Sequence, residues 1–316
     1  MNLWKQTSET PLESIHNTHE YWARGSSPWT FRRCDLRPCL RRGRFWDGIL
    51  GRRTEILIHE HRYCSLECFE RALTERISQQ RFNARKTRRK AHRIPLGLLL
   101  LSLRVIREEQ LQTALQAQRE SESGRIGKWL CRLFGVTEPQ VTAALAAQWS
   151  CPVFPMDQRP EVRECADLVP LPILEDRRMV AVNWLPSSRV LHMAFAGAVD
   201  YTTLYNVEQV LECRTEPCIA DESAVNEILQ DIRTLARPWE VDYGSMRDPS
   251  EVAREVRDHA EALGPCQVRL ALCNQYLWIR VSSAQETRSL LFRTDPTVRT
   301  NSLLGGDLAV TTAPGE

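Results

Sequence analysis

The sequence lacks any hydrophobic segment long enough to cross a membrane. Its longest apolar run, residues 96–101, has six residues, whereas a bilayer-spanning helix needs about 20. The first 22 residues are polar and contain no apolar core of a secretory signal. These absences predict a soluble cytoplasmic protein that does not insert into membranes.

Sequence motifs of common enzyme classes are also absent. There is no G-x-x-x-x-G-K-[ST] phosphate-binding loop, no G-x-S-x-G and no H-E-x-x-H. Residues 124–129 look like part of a phosphate-binding loop, but the two glycines are too close together. Trp129 also stands where a magnesium-binding hydroxyl is needed. We therefore expect a protein without enzymatic activity.

The composition is that of a folded protein with several parts. Hydrophobic residues make up 42% and charged residues 26% of 316 residues, which predicts about two or three domains with cores of their own. The net charge of +2 conceals an uneven distribution. Residues 1–93 hold 20 Lys and Arg against 10 Asp and Glu, whereas residues 94–316 hold 22 against 30. Opposite local charges indicate separate modules with different partners.

Four of the 11 cysteines form two close pairs near the N-terminus. Four residues separate Cys34 from Cys39, and three separate Cys64 from Cys68. In a reducing compartment such pairs favour metal binding over disulfides. Four thiolates satisfy tetrahedral Zn²⁺ and leave no open position for catalysis, so the pattern predicts a structural zinc site.

The residues between and after these pairs predict a hairpin and a helix. Residues 56–58 form a short apolar run typical of a strand. Ser65 suits a helix N-cap, and Leu66, Phe69 and Leu73 share one helical face. The segment Y-C-S-x-x-C resembles the FCS/TRASH-like treble-clef zinc fingers, although the first pair is spaced more widely than is usual in that family.

Two alternatives remain for the N-terminal segment. The cysteines could be four unrelated buried thiols, or His59 or His61 could replace one of them as a ligand. The basic residues around the module could contact nucleic-acid phosphates. The favoured interpretation is a solvated surface followed by a charged linker at 81–93, because no base-reading residue can be identified.

A tandem repeat with a period of 30 residues follows the linker. Each copy predicts a short apolar helix, a tight turn and a second amphipathic helix. In the second copy, Thr137 and Gln140 suit a capping box. The recurring pairs are Gly97/Gly127, Leu100/Leu130, Ile106/Val136, Leu111/Val141, Leu115/Leu145 and Gln118/Gln148.

This repeat resembles the MshEN domain, the N-terminal domain of GspE-type ATPases of type II secretion and type IV pilus assembly. The family pattern, beginning R-L-G-x-x-L, occurs twice: Pro95 replaces the arginine of the first copy, and Ile126, Val136 and Val141 are conservative changes in the second. The resemblance implies binding of cyclic di-GMP, one guanylate half per motif. The implied ligand residues are Leu96, Gly97, Leu100, Ile106, Leu111, Leu115, Gln118, Arg125, Ile126, Gly127, Leu130, Val136, Val141, Leu145 and Gln148.

The repeat also allows a purely structural interpretation. Its leucines suit a helical core, and Pro95 removes both a guanidinium and a backbone donor. Ligand binding could then have been lost, unless Arg93 takes the place of the missing arginine. The polar set Arg125, Gly127 and Gln148 favours binding, because packing alone does not require it.

The resemblance extends to about residue 235, and residues 236–316 are not expected to form the ATPase domain with which that family continues. Residues 238–249 are predicted to be a linker, residues 250–263 a helix, and residues 267–272, 276–281 and 288–293 three strands. A further set of cysteines could be proposed as a second metal site, but their spacing favours buried thiols. These are Cys213, Cys218, Cys266 and Cys273.

The sequence thus predicts a multidomain α+β protein and a non-enzymatic cyclic di-GMP receptor or adaptor of a secretion or pilus system. The alternatives are an interaction module of such a system that has lost the ligand, and a zinc-dependent nucleic-acid-binding regulator. The expected parts are a zinc-finger-like module (1–80), a basic linker (81–93), an MshEN-like domain (94–236), a small α+β module (250–294) and a mostly disordered tail (295–316).

Overall fold

The computed structural model describes residues 34–36, 39, 56–83, 93–121, 124–155, 165–246 and 248–294, with side chains to residue 80 in the first helix. The predicted tail at 295–316 and most of the predicted linker at 81–93 lie outside these residues. Helices and two sheets together make a mixed α/β protein, as the predicted fold class requires. No helix of the described ranges is both long and apolar enough to cross a bilayer.

Four short helices form the repeat. They are α2 (Leu96–Ser102), α3 (Glu108–Glu120), α4 (Ile126–Phe134) and α5 (Glu138–Trp149). The backbone N–H of Thr137 donates to Oε1 of Gln140 at 2.9 Å, which confirms the predicted capping box. Arg107 and Gln110, each 30 residues earlier, make the same contact at 2.8 Å. The second helix of each copy, α3 in the first and α5 in the second, therefore begins with the same capping contact.

The two copies interlock through their glutamines. Gln118 of the first copy donates from Nε2 to the carbonyl of Gly124, which precedes α4, at 2.7 Å. Gln148 of the second copy donates to the carbonyl of Ile94, which precedes α2, at 2.5 Å. Since these four residues are equivalent in pairs at the 30-residue period, each copy fixes the start of the other.

The repeat glycines allow close packing between helices. A Cβ at Gly97 would lie 2.6 Å from Cδ1 of Leu111, and one at Gly127 would lie 3.0 Å from Cγ1 of Val141. Leu111 belongs to the small core of the repeat. Absence of a side chain at both glycines is thus a packing requirement as well as a feature of the motif.

Replacing Gly97 with alanine should lower the free energy of unfolding by about 1–2 kcal/mol. Overpacking a core typically costs ~1–3 kcal/mol, and the better helix propensity of alanine offsets part of it. Denaturant unfolding of the variant measures the change, with Gly127→Ala as the matched variant of smaller expected cost. A Gly97→Ala variant as stable as the wild type would show that Leu111 can move aside freely.

An α/β unit follows the repeat, within the region to about residue 235 over which the resemblance extends. It contains α6 (Leu171–Arg177), β3 (Met179–Leu185), β4 (Val190–Phe195), α7 (Tyr201–Leu211), β5 (Arg214–Ile219) and α8 (Glu222–Thr234). Strand β4 lies between β3, to which it is antiparallel, and β5, to which it is parallel. Its core is continuous with Phe154 and with the end of α5.

The remaining elements form one six-stranded sheet from two distant parts of the chain. The N-terminal part supplies β1 (Ile56–Ile58), β2 (His61–Tyr63) and α1 (Leu66–Asn83). The C-terminal part supplies β6 (Glu240–Met246), α9 (Pro249–Leu263), β7 (Cys266–Cys273), β8 (Tyr276–Ser282) and β9 (Thr287–Thr294). The strand order is β2-β1-β7-β8-β9-β6, and β1 runs parallel to β7.

This sheet differs from the predicted layout in two respects. The cysteine module and the C-terminal module, which the sequence suggested were separate, share hydrogen-bonded strands and a common core under α1 and α9. The predicted linker at 238–249 contains β6, an edge strand parallel to β9. Gly244 breaks its regularity with φ 69°, which weakens the strand pattern in the sequence.

Both faces of the six-stranded sheet are covered. Along β8, Leu277, Ile279 and Val281 face the core that includes α1 and α9, whereas Tyr276 and Trp278 face the core of the α/β unit. Alternate residues of a strand point to opposite faces, so this sheet joins the two halves of the molecule. The buried Trp278 donates from its indole N–H to Oγ of Ser289 at 3.1 Å.

Candidate functional site

A cleft lies between the helical repeat and the α/β unit. Its volume is about 740 Å³, within the range of small-molecule pockets. The repeat side is formed by Leu96, Arg125, Gly127, Lys128, Cys131, Arg132, Glu138, Val141, Thr142 and Leu145, and the α/β side by Ala196, Gly197, Ala198, Ala220, Glu222, Ser223 and Asn226.

Arg125 crosses this cleft. It immediately precedes α4, and its Nη1 donates to the carbonyl of Ala196 at 3.3 Å on the opposite wall. The guanidinium lies directly against Gly197, where a Cβ would overlap it. A planar cation with several donors is thus held against backbone in the middle of the cleft.

Two more cations of α4 lie beside Arg125. Lys128 pairs with Glu222 through Nζ and Oε1 at 2.9 Å, and Glu222 also binds Nη1 of Arg178 at 2.6 Å. Arg132 lies over the ring of Trp129, with Cζ 5.8 Å from its centroid. The α4 side therefore carries three cations, of which Lys128 is paired with an acid of the opposite side.

The opposite end of the cleft is closed by polar contacts between the two units. Oε1 and Oε2 of Glu138 accept hydrogen bonds from the backbone N–H and the hydroxyl of Ser223, at 2.8 and 2.7 Å. Thr142 donates its hydroxyl to Asp221. Because Glu138 caps the N-terminal end of α8, the favourable interaction of an acid with that end holds the two walls together.

Five of the predicted ligand residues line the cleft. They are Leu96, Arg125, Gly127, Val141 and Leu145. The other predicted residues lie in the packing of the repeat: Leu100, Ile106, Leu111, Leu130 and Val136 are buried, Leu115 and Ile126 pack against them, Gly97 lies against Leu111, and Gln118 and Gln148 bind backbone carbonyls.

Several cleft residues were not predicted from the sequence. Lys128 and Arg132 lie one and two turns along α4 from Arg125, so the helical period of a positively charged face could have found them. The residues of the α/β wall, such as Gly197 and Ser223, have no such signal because they reach the cleft through tertiary packing.

Arg93 does not take the place of the arginine that the first copy lacks. It donates from Nη1 to the carbonyl of Gln148 at 3.1 Å, and its Cζ lies 3.7 Å from the ring centroid of Trp149. Pro95 immediately precedes α2. The described residues that line the cleft include neither Arg93 nor Pro95.

The four predicted metal-binding cysteines lie together elsewhere in the structure. The Sγ atoms of Cys34, Cys39, Cys64 and Cys68 are within 4.8 Å of one another. Cys39 is 3.5 Å from Cys64 and 3.8 Å from Cys68, and Cys64 is 3.6 Å from Cys68. This cluster excludes the alternative of four unrelated thiols.

The cluster is held by the start of α1 and by the hairpin. The backbone N–H of Cys68 donates to Oγ of Ser65 at 3.2 Å, which confirms the predicted N-cap. Within the described ranges, these four cysteines form the group suited to a metal ion, and neither His59 nor His61 belongs to it. The second proposed set is buried or half-buried, as expected of thiols in cores: Cys213, Cys218, Cys266 and Cys273.

Comparisons with known proteins give partial structural similarities. No protein-family model matches the chain, and no curated protein does. A solved structure described as MshE with cdg has 25% identity and a TM-score of 0.37, covering 46% of this chain and 99% of its own. Two crystal forms of the N-terminal domain of XpsE have 17% and 18% identity and TM-scores of 0.33 and 0.27. They cover 43% and 45% of this chain and 92% and 98% of their own.

Proposed function

We propose that the cleft binds cyclic di-GMP and that the protein is a non-enzymatic receptor or adaptor of a secretion or pilus system. The observation that carries the proposal is the position of Arg125. The arginine of the complete motif spans the cleft, between Gly127 of the same motif and the backbone of Ala196 and Gly197. The resemblance of the repeat to MshEN domains supplies the identity of the ligand.

The chemistry of the cleft suits a cyclic dinucleotide. A guanidinium can donate two hydrogen bonds to O6 and N7 of guanine, or pair with a phosphate. Arg132 adds positive charge along the same wall, Lys128 is paired with Glu222, and Leu96 and Leu145 provide apolar surface for a base or ribose. Gly197 gives the Arg125 guanidinium room to lie against the backbone.

The two copies of the motif contribute unequally. The second copy supplies Arg125, Gly127 and the cations of α4, whereas the first contributes Leu96. With Pro95 in place of arginine, most of the polar contacts to the ligand come from the second copy. We therefore expect weaker binding than two complete motifs would give.

The groups in the cleft support a binding role rather than catalysis. Burial, and next the charge of Glu138, raise the pKa of the Cys131 thiol, which disfavours the nucleophilic thiolate. Both carboxylate oxygens of Glu138 already accept hydrogen bonds from Ser223. Neither group is prepared for covalent or acid–base chemistry.

We propose that the cysteine cluster binds one structural Zn²⁺. Zn–S bonds of about 2.3 Å place tetrahedral sulfurs about 3.8 Å apart, close to the 3.5–3.8 Å among Cys39, Cys64 and Cys68. Cys34 lies within 4.8 Å of each of them. Burial, and next the hydrogen bonds with Cys39 and Cys68, raise the pKa of Cys64. Four crowded thiols ionise together when a cation offsets their charge, so a divalent ion fits this donor set.

A second candidate function is an interaction module that has lost the ligand. It is favoured by the surface around Pro95, where Ile94 is 61% and Leu98 53% exposed. Leu98 is the equivalent of Lys128, so the first copy presents apolar surface where the second presents a cation. Binding of a secretion or pilus component by a chain that ignores cyclic di-GMP would support this function.

Thermal unfolding with and without cyclic di-GMP tests the leading proposal. A ligand at 100 times its dissociation constant stabilises the folded state by about 2.7 kcal/mol, which should raise the melting temperature by about 5–10 °C for units of this size. GTP is the control for a general effect of guanine and phosphate. Equal shifts with both nucleotides, or none, would contradict specific recognition.

A further inference from the structure

A second cavity lies at the junction of the cysteine module and the α/β unit. This junction cavity has a volume of about 410 Å³ and is bounded by the β1–β2 turn, α1, α7 and β7. It is separate from the cleft, since the two have no lining residue in common. Four elements from three parts of the chain converge on it.

The walls of the junction cavity are fixed by hydrogen bonds. The backbone N–H of His59 donates to the carbonyl of Val268 at 2.8 Å, and the carbonyl of His59 accepts from Nε2 of Gln267 at 3.1 Å. On the α7 side, Asn206 donates to the carbonyl of Leu272 at 2.7 Å. The cavity is therefore formed before any ligand enters, which lowers the cost of binding.

The β1–β2 turn holds His59 in an unusual backbone conformation. Its φ is 52°, a left-handed value that is uncommon for residues other than glycine. The two backbone contacts with β7 maintain this conformation and direct the turn toward the cavity. A positive φ is, however, ordinary in a two-residue hairpin turn.

Two arginines, Arg76 and Arg269, and one acid, Glu60, line the junction cavity. Arg76 lies near the Tyr63 hydroxyl, and no carboxylate within the described ranges pairs with it. Arg269 is neutralised by Glu212. Burial, and next the charges of Arg269 and Arg76, lower the pKa of His59 to about 4, so the imidazole is neutral at pH 7.

We propose that the junction cavity binds the phosphoryl group of a small organic phosphate, with Arg76, His59 and Gln80 as donors. An arginine beside a neutral imidazole and an amide is a suitable donor set for a phosphate. Tyr205, which is 59% exposed at the edge of the cavity, offers a ring against which the organic part packs. The ligand would contact both the hairpin of the cysteine module and α7.

The test is a titration of the full chain with inorganic phosphate and with phenyl phosphate at constant ionic strength. The NMR resonance of the His59 imidazole reports binding. We expect saturable shifts with both, and tighter binding of phenyl phosphate. Arg76→Gln should raise the dissociation constants of both ligands at least about tenfold, because a hydrogen bond to a charged group contributes about that factor to affinity. Tyr205→Ala should bring phenyl phosphate to the affinity of phosphate.

Two further variants keep the test decisive. Gln80→Glu leaves the Arg76–Tyr63 contact in place and puts a negative charge in the cavity, so it should abolish binding even if Arg76→Gln folds poorly. Arg71→Gln changes an exposed arginine of α1 outside the cavity and should bind as the wild type does. Absence of saturable shifts, or equal affinity in Gln80→Glu and wild type, would overturn the proposal.

Discussion

Replacing Cys64 with serine should reduce the metal content of the purified protein from about one zinc ion per chain to nearly none. Serine is a poor zinc ligand, and three thiolates cannot close the tetrahedral site. Zinc binding to small cysteine modules has an apparent free energy of about 10–16 kcal/mol, much of which is folding free energy. Residues 34–36 and 39 should be held less firmly, because the cysteine cluster fixes them together with the Asp35–Arg62 hydrogen bonds and the packing of Leu36 in the shared core.

The rest of the six-stranded sheet should survive this substitution. Strand β1 is bonded to β7 as well as to β2, and Phe69 and Leu73 of α1 are buried in the shared core. Metal analysis and thermal unfolding measure the effect, with Cys151→Ser, outside the cluster, as the control. Wild-type protein that contains no zinc and is as stable as the Cys64→Ser variant would contradict the zinc site.

Acid should release the metal. Because the pKa of Cys64 is raised by burial and by its thiol neighbours in the metal-free cluster, zinc must displace protons when it binds. Affinity should therefore rise with pH and fall on acidification. Affinity for zinc that does not change with pH would show that other groups hold it.

Replacing Arg125 with alanine should weaken cyclic di-GMP binding by about 100-fold. The substitution removes the guanidinium that spans the cleft and leaves the ligand's acceptors without their charged donor, at a cost of about 2–3 kcal/mol. Folding should be little affected, because Arg125 is exposed and makes one hydrogen bond across the cleft. Arg119→Ala, at the exposed end of α3 and outside the cleft, is the control.

The matched gain-of-function variant is Pro95→Arg. It restores the arginine of the first motif at the residue preceding α2, and binding should strengthen by about tenfold if the first copy can still contact a guanylate. Direct binding measurements on the three variants separate these effects. Equal affinity of Arg125→Ala and wild type would place the ligand elsewhere.

Local patterns made much of the structure predictable. The 30-residue repeat predicted paired helices, and the same period now explains the packing of Gly97 and Gly127 and the exchange of contacts by Gln118 and Gln148. The cysteine spacing predicted a cluster because pairs of this kind bring thiols to one point. Both patterns lie within short stretches of the sequence, so the sequence alone was enough to predict the paired helices and the cysteine cluster.

Long-range pairing was not predictable in the same way. Strand β1 has three residues and pairs with β7 about 200 positions later, and nothing in so short a strand specifies a distant partner. The α/β wall of the cleft is set by the same kind of packing: Gly197 is 72 residues from Arg125. The sequence pattern therefore predicts residues on the repeat side of the cleft but none on its α/β side.

Titration calorimetry of the full chain with cyclic di-GMP tests the central claim most directly. We predict saturable heat with the wild type, a loss of about 100-fold in affinity with Arg125→Ala, and no change with Arg119→Ala. No heat of binding from micromolar to millimolar ligand, with a folded protein, would contradict the receptor function and favour an interaction module that has lost its ligand.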